Sequence, residues 1–152
     1  MEFRNYVHPS ITILLLFLSL AGCMENGIKE MADTDKLPAP VGAYSQALIQ
    51  GNVMFLSGQI GINPESNEIV SGGIEAQTRQ IMDNIKNALE DNDYLISDIV
   101  QCQVYMTDLN DYEAMNKIYS SYFEDIYPTR SVVQVEALPK GALIEIVAIA
   151  IR

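Results

Sequence analysis

Apolar and polar positions along residues 44–151 follow two periodicities. Runs of alternating or continuous apolar residues predict strands at 44–50, 53–59, 99–107, 131–136 and 143–151. Apolar residues that recur every three or four positions predict helices at 75–91 and 112–125. The order is therefore β-β-α-β-α-β-β. Because each helix lies between strands, we predict an α+β sandwich with both helices on one face of the sheet.

The final predicted strand is apolar except for one carboxylate, Glu145. Such a run is typical of a strand that is buried, or nearly buried, on both faces, where a carboxylate needs a partner or a function. Arg130 begins the preceding strand, and two adjacent strands could bring the two side chains to one pocket. A guanidinium and a buried carboxylate are suited to binding a small carboxylate and activating a water beside it. Taken alone, however, Arg130 is more typical of a solvated strand end, and Glu145 could equally form a structural ion pair, with Lys140 as a possible partner.

The face of the sheet that the helices leave open also carries Val, Ile and Met side chains. An apolar face of this kind is rarely exposed in a soluble monomer. We therefore expect the domain to associate with copies of itself.

The first 23 residues have the pattern of an export signal. An apolar stretch at 11–21, too short to span a bilayer, is followed by Leu20-Ala21-Gly22-Cys23, which resembles the lipobox of bacterial lipoproteins. We thus predict a lipoprotein-type signal peptide at 1–23, lipidation of Cys23, a polar tether at 24–36 and a domain at 37–152. The expected location is the bacterial envelope, with the membrane reached only through this anchor. If Met24 or Met31 is the true start, the protein is cytoplasmic instead; a buried N-terminal helix is a further alternative.

Charge and composition narrow the chemistry. The chain has 152 residues, a one-domain length, and a formal net charge of −11, which opposes nucleic-acid binding because phosphates need clustered Lys and Arg. The single histidine, His8, precedes the predicted cleavage point, so Ser-His-Asp and Cys-His catalysis and Cys/His metal sites are not expected in the domain. Cys102 would have no disulfide partner once Cys23 is lipidated, and is most simply a small buried side chain.

Five blocks of the sequence resemble the RidA family, also called YjgF, of reactive intermediate (imine) deaminases. They are 39–47 (APVGAYSQA), 56–60 (LSGQI), 75–80 (EAQTRQ), 128–131 (PTRS) and 138–146 (LPKGALIEI). The resemblance implies a chorismate-mutase-like fold and a homotrimer in which three sheets form a central barrel, with active sites in clefts between subunits. It also implies hydrolysis of 2-enamine and 2-imine acids, such as 2-aminoacrylate and 2-iminobutanoate, to 2-keto acids and ammonia, without a cofactor or metal.

The resemblance assigns roles to individual residues. Arg130 matches the arginine that holds the substrate carboxylate, and Glu145 matches the acid that positions the attacking water. The other matched substrate-binding positions are Tyr44, Ser57, Gly58, Asn116 and Val132. Val132 departs from the family pattern, because many members carry Cys there. Two alternatives stay open: a non-catalytic module of the same fold that binds small carboxylates or unfolded chains, and a ribonuclease or translation inhibitor, which the charge of −11 disfavours.

Overall fold

The computed structural model describes residues 29–32, 34–40 and 42–152, and within them it forms a six-stranded sheet with two α-helices. The strands are β1 (Glu30–Met31), β2 (Ala47–Gln50), β3 (Val53–Ile60), β4 (Ile99–Met106), β5 (Thr129–Gln134) and β6 (Ile144–Ile151). The helices are α1 (Gly73–Glu90) and α2 (Tyr112–Ser120). The predicted α+β class and the order β-β-α-β-α-β-β are confirmed for β2 to β6.

The strand order in the sheet is β1-β2-β3-β6-β4-β5. All neighbours are antiparallel except β4 and β5, which are parallel because α2 carries the chain back between them. The expectation that the strands of Arg130 and Glu145 are adjacent is wrong, since β4 lies between β5 and β6.

Both helices cover one face of the sheet and build the core against it. On α1, Ile81, Met82 and Ile85 are completely buried, and they face Met54, Val104 and other side chains of the central strands. Burial of each large aliphatic side chain contributes roughly 1.5–3 kcal/mol, so this layer supplies most of the driving force for folding. It also fixes which strand residues point toward the helices.

The opposite face of the sheet, called the open face below, is left partly exposed by the residues that the structure describes. In β6, Ile144, Ile146, Ala148 and Ala150 are buried, whereas the alternate positions from Glu145 to Ile149 are only half-buried. The prediction that this strand is buried on both faces is therefore wrong for the single chain. Phe55 remains 45% exposed and Ile151 42% exposed on the same face, so a large apolar surface is left for another molecule to cover.

Helix α2 ends at Ser120, five residues before the predicted end at 125. The hydroxyl of Ser121 donates to the carbonyl of Ile118, which offers the backbone an alternative to a further helical turn. Beyond this point the Tyr122 hydroxyl donates to Asp83 of α1, and Phe123 packs into the core. The periodicity predicted that these two aromatic residues lie on the helix. In the structure they lie beyond its end and are held by tertiary contacts.

The structure adds an element to the segment predicted as a tether. Residues Glu30–Met31 pair with β2, and Lys36 and Thr34 both contact the carboxylate of Asp91 at the end of α1. Residues 1–28, including Cys23 and the predicted leader, lie outside the described residues. No helix in the described ranges is long and apolar enough to cross a membrane.

Candidate functional site

Arg130 lies on β5 and points toward the helix layer. Its partner in the parallel pair with β4 is Cys102, a buried residue of the helix-facing side, so the guanidinium emerges beneath α2. There its Nη2 donates to the Tyr112 hydroxyl at 2.9 Å and to Oδ1 of Asn116 at 2.8 Å. The guanidinium carbon also lies 4.5 Å from the ring centroid of Tyr119. Three side chains of one helix face therefore fix its orientation.

The Arg130 guanidinium retains hydrogen-bonding capacity at its other terminal nitrogen, Nη1. Nη1 is buried, yet it has no hydrogen-bond acceptor among the described residues. The group faces a cavity of about 530 Å³ lined by Asn116, Tyr119, Ser120, Tyr127, Pro128 and Arg130. A buried cationic donor without an acceptor is costly, and a small anion that enters the cavity would satisfy it. This geometry agrees with a carboxylate-binding role for Arg130.

The floor beneath Arg130 is uncharged and closed to solvent. Cys102 is 1% exposed and Tyr119 is 2% exposed. Burial raises the pKa of the Cys102 thiol and of the Tyr119 hydroxyl above their usual values, although the nearby positive charge of Arg130 opposes both shifts. Both groups are therefore neutral near pH 7, and Arg130 keeps its charge available to an incoming anion.

Glu145 lies on the open face, beside an irregularity in β3. The register between β3 and β6 shifts between Leu56 and Gln59, which marks a bulge at Ser57 and Gly58. A Cβ atom at Gly58 would lie 2.3 Å from Oε1 of Glu145, so glycine is required for the carboxyl to occupy this place. The bulge thus shapes a niche for the acid.

No hydrogen bond or ion pair to the Glu145 carboxylate occurs in the described part of the chain, and desolvation raises its pKa. The alternative of an ion pair with Lys140 is not supported, since Lys140 donates to the backbone oxygen of Asn67. Burial is the cause of this increase in the pKa within one chain. Glu145 is therefore a carboxylate with free acceptor capacity and an increased proton affinity.

Gly58 lies against this acid, and Ser57 and Tyr44 lie beside Gly58. Tyr44 and Gly58 border a small pocket of about 30 Å³, together with Pro38, Ala39 and Gln46. The Ser57 hydroxyl donates to the carbonyl of Ser45, and the Ser57 amide donates to that of Gln46, so Ser57 fastens the loop that carries Tyr44 to β3. The hydroxyl of Ser57 is thus occupied in holding this loop.

The predicted site residues consequently fall into two groups, which we call the arginine half-site (Arg130, Asn116, Val132) and the glutamate half-site (Glu145, Gly58, Ser57, Tyr44). Arg130 is aligned with Cys102 of β4 and Glu145 with Tyr105, on opposite faces of the sheet. The backbones of Arg130 and Glu145 are separated by two strand spacings across the sheet and by three residues along the strands, which gives a distance of about 14 Å. A single chain cannot bring the two groups to one ligand.

Val132 belongs to the arginine half-site through its backbone position. Its side chain packs against the core beside Val104, and β5 forms one edge of the sheet, with backbone groups that no strand of this chain pairs among the described residues. A valine at this position keeps the same backbone N–H and C=O groups along the strand edge as a cysteine would. No cluster of three or more His, Cys, Asp or Glu side chains suited to a metal ion occurs in the described ranges.

Two side chains that contact the Arg130 guanidinium, Tyr112 and Tyr119, were not among the predicted site residues. A signal was present, because positions 112, 116 and 119 follow one another at four and three residues and so share one face of α2 with Asn116.

The fold and these half-sites define a two-layer α+β domain with an open apolar sheet face. The family model described as endoribonuclease L-PSP matches residues 34–152, and the chain belongs to this family, the RidA/YjgF family. It is 46% identical to a RutC family protein of Pyrococcus horikoshii over 82% of this chain and 99% of that protein. It is 38% identical to the human 2-iminobutanoate/2-iminopropanoate deaminase over 85% of this chain and 94% of that protein. The crystal structure of RidA from an Antarctic Psychrobacter superposes with a TM-score of 0.78 at 41% identity, covering 81% of this chain and 99% of the other.

These comparisons correct the predicted location. The Pyrococcus relative is matched over 99% of its own length by 125 residues of this chain, so it has no counterpart of a 23-residue leader followed by a tether. The family match likewise begins at residue 34, downstream of Cys23, and the similar proteins include archaeal RutC family proteins and a human deaminase. The prediction of an exported, membrane-anchored lipoprotein is wrong.

Proposed function

We propose that this protein hydrolyses 2-enamine and 2-imine acids, such as 2-aminoacrylate and 2-iminobutanoate, to 2-keto acids and ammonia. The observation that carries the proposal is the pair of half-sites: a buried guanidinium with an unused donor and a desolvated carboxylate with unused acceptors. Membership of the RidA/YjgF family and the similarity to a human protein named as such a deaminase support it.

Arg130 would hold the substrate carboxylate. A hydrogen bond between a guanidinium and a carboxylate contributes roughly 1.5–3 kcal/mol, and Nη1 of Arg130, a residue that lines the cavity, has no acceptor among the described residues. The rings and the amide around Arg130 fix the direction of this contact, so the imine carbon of a short substrate would lie at a defined distance from the arginine. Binding in one orientation is most of what a reactive imine requires.

Glu145 would position and deprotonate the attacking water. The water oxygen forms a bond to the imine carbon, its proton passes through the carboxylate to the imine nitrogen, and the resulting carbinolamine expels ammonia as the carbonyl forms. A carboxylate whose pKa is raised by desolvation is a better proton acceptor than an ordinary glutamate. The proposed reaction consumes only water and needs neither a cofactor nor a metal.

The complete site would lie between two copies of the chain. One copy would contribute the glutamate half-site, with Tyr44 as a wall, and its neighbour the arginine half-site. The open apolar face, with Phe55 and Ile151 partly exposed, supports self-association, and we propose a homotrimer whose sheets surround a central barrel. Assembly would remove the open face from water and bring the two half-sites together.

Subunit complementation tests this proposal directly. Arg130→Ala and Glu145→Gln chains carrying different tags are expressed together, and the mixed assemblies are isolated by both tags. Each variant alone should be inactive toward 2-iminobutanoate. In a trimer that contains both variants, one of the three interfaces joins two intact half-sites, so the isolated mixed assemblies should recover about a third of the wild-type turnover. Mixed assemblies that stay inactive would refute a site shared between copies, and an inactive wild-type protein would refute the deaminase activity.

A non-catalytic module that binds small carboxylates is the second candidate, because the arginine half-site and its cavity are complete within one chain. Binding of 2-oxobutanoate to a Glu145→Ala variant separates the two. Retained binding with lost turnover supports catalysis, whereas wild-type behaviour in every respect supports the binding module. The net charge of −11 gives no support to RNA cleavage, despite the endoribonuclease description of the family.

A further inference from the structure

The Arg130 guanidinium is less available to a ligand than its place in the cavity indicates. Nη2 carries two N–H bonds, and it has two acceptors, the Tyr112 hydroxyl at 2.9 Å and Oδ1 of Asn116 at 2.8 Å. A carboxylate that binds arginine through two parallel hydrogen bonds uses either the Nη1–Nη2 edge or the Nε–Nη2 edge. Both edges include Nη2, so a two-point grip is blocked while both acceptors stay in place.

We propose that the Tyr112 hydroxyl competes with the substrate carboxylate for Nη2 of Arg130, which makes Tyr112 a specificity-determining residue of this site. The inference rests on the carboxylate-binding role proposed for Arg130. Before a ligand binds, the Tyr112 hydroxyl accepts one N–H of Nη2. An incoming carboxylate would bind Nη1, which has no acceptor among the described residues, and would replace the hydroxyl on Nη2.

Tyr112 is the acceptor that can leave. It is the first residue of α2 and is 38% exposed, so its hydroxyl exchanges Arg130 for water at little cost. Asn116 is less exposed, lies one turn further into the helix and forms the shorter bond. The ring of Tyr119 beneath the guanidinium keeps it in place when the hydroxyl departs.

This competition discriminates between ligands by charge. A carboxylate forms a stronger hydrogen bond with a guanidinium than a neutral phenol oxygen does, so it can displace the hydroxyl. An ester or amide oxygen is neutral, as the phenol is, and gains nothing by displacing it. The returning hydroxyl would also help a 2-keto acid product to leave, because the product carries the same carboxylate.

Tyr112→Phe removes only the competing oxygen, and its effect is measured as the affinity for 2-oxobutanoate by titration calorimetry. We expect the dissociation constant to fall about three- to tenfold. The ligand carboxylate can then bond to Nη2 without first displacing the Tyr112 hydroxyl, although the free protein has lost that hydroxyl as an acceptor for Arg130. The neutral methyl 2-oxobutanoate should change by less than about twofold, which a merely structural role of Tyr112 would not predict. In turnover assays KM should fall, and inhibition by 2-oxobutanoate should strengthen.

Tyr122→Phe is the matched control, because it also removes a phenol oxygen, here from Asp83 of α1 and outside both half-sites. Its affinity for 2-oxobutanoate should equal that of the wild-type protein. Arg130→Ala separates the competition at Nη2 from the carboxylate-binding role of Arg130. If Arg130→Ala abolishes binding while Tyr112→Phe binds 2-oxobutanoate equally or more weakly, the competition is refuted and the role of Arg130 stands. If Arg130→Ala binds as the wild type does, or the wild type does not bind, both are refuted.

Discussion

Gly58→Ala tests whether the place of the Glu145 carboxyl, and not merely its presence, determines activity. An alanine Cβ at this position would lie 2.3 Å from Oε1 and 2.6 Å from Cδ of Glu145. Ordinary van der Waals contacts begin at 3.4 Å, so the carboxyl must move by the difference, 3.4 − 2.3 = 1.1 Å. The clash is with the end of a flexible side chain, and the backbone of the bulge need not change.

The expected effects on stability and on activity differ in size. A new or distorted Glu145 rotamer costs about 0.5–1.5 kcal/mol, which sets the expected loss in the free energy of unfolding. A displacement of about 1 Å at a reacting group can lower the rate about a hundredfold, equivalent to about 2.7 kcal/mol in the activation barrier. We therefore expect kcat/KM to fall by about two orders of magnitude in a protein that still folds and assembles.

The assay measures release of 2-oxobutanoate from 2-iminobutanoate generated in place, beside urea denaturation of the same preparation. Gly51→Ala is the matched control: Gly51 has φ of +61° and no neighbouring atom within 4 Å of an added Cβ, so alanine there strains the β2–β3 turn without touching the site. This control should lose about 1 kcal/mol of stability and keep its activity. Full activity in Gly58→Ala, or an equal loss in Gly51→Ala, would contradict the reasoning.

Three further predictions concern the acid, the open face and the thiol. Because desolvation raises the pKa of Glu145 above its usual 4.5, the acid limb of the pH profile of kcat should lie above pH 4.5. Glu145→Gln should lose most of the turnover, and the small remainder should show no such acid limb. The folded protein also holds the Glu145 proton more tightly than the unfolded chain does. The contribution of Glu145 to the free energy of unfolding should therefore fall as pH rises from 4.5 through the folded pKa. Glu145→Gln should then be more stable than the wild type at pH 7, and equal stability would contradict this. Phe55→Asp places a charge on the open apolar face and should yield inactive monomers with unchanged circular dichroism; an unchanged mass by light scattering would show that this face is not the interface. Cys23→Ser leaves Cys102 as the remaining thiol. Cys102 should resist aromatic disulfide reagents until denaturant is added, because it is 1% exposed and burial raises the pKa of its thiol. Rapid labelling of the native protein would contradict this.

The local elements could be predicted because each rests on periodicity within a short stretch. The alternation at Cys102, Val104 and Met106 gives β4, and the three- and four-residue spacing of Ile81, Met82 and Ile85 gives α1. The end of α2 could not be found in this way, since Tyr122 and Phe123 continue the apolar pattern while tertiary contacts turn the chain away. Strand β1 has two residues and exists only because the edge of β2 pairs with it.

The strand order was predictable in part from connectivity. A helix between β4 and β5 predicts a parallel, neighbouring pair. The place of β6 between β3 and β4, which separates Arg130 from Glu145, does not follow from connectivity. The contacts around Arg130 depend on how α2 crosses the sheet, which periodicity does not specify. The resemblance supplied Asn116, whereas Tyr112 became visible only once the register of α2 over β5 was known.

The separation of the two half-sites has a physical consequence that favours assembly as the condition for activity. If Arg130 and Glu145 faced each other in one chain, they would form an ion pair: the arginine would occupy the carboxylate, lower its pKa and lose the donor that a substrate needs. The sheet prevents this pairing, so Nη1 has no acceptor among the described residues and Glu145 keeps an increased proton affinity. Both groups are costly in this state, and the self-association proposed above would offset that cost by burying the apolar face beside Glu145. A ligand that contacts one group from each copy then satisfies both, which is why the paired half-sites point to a site that exists only in the assembly.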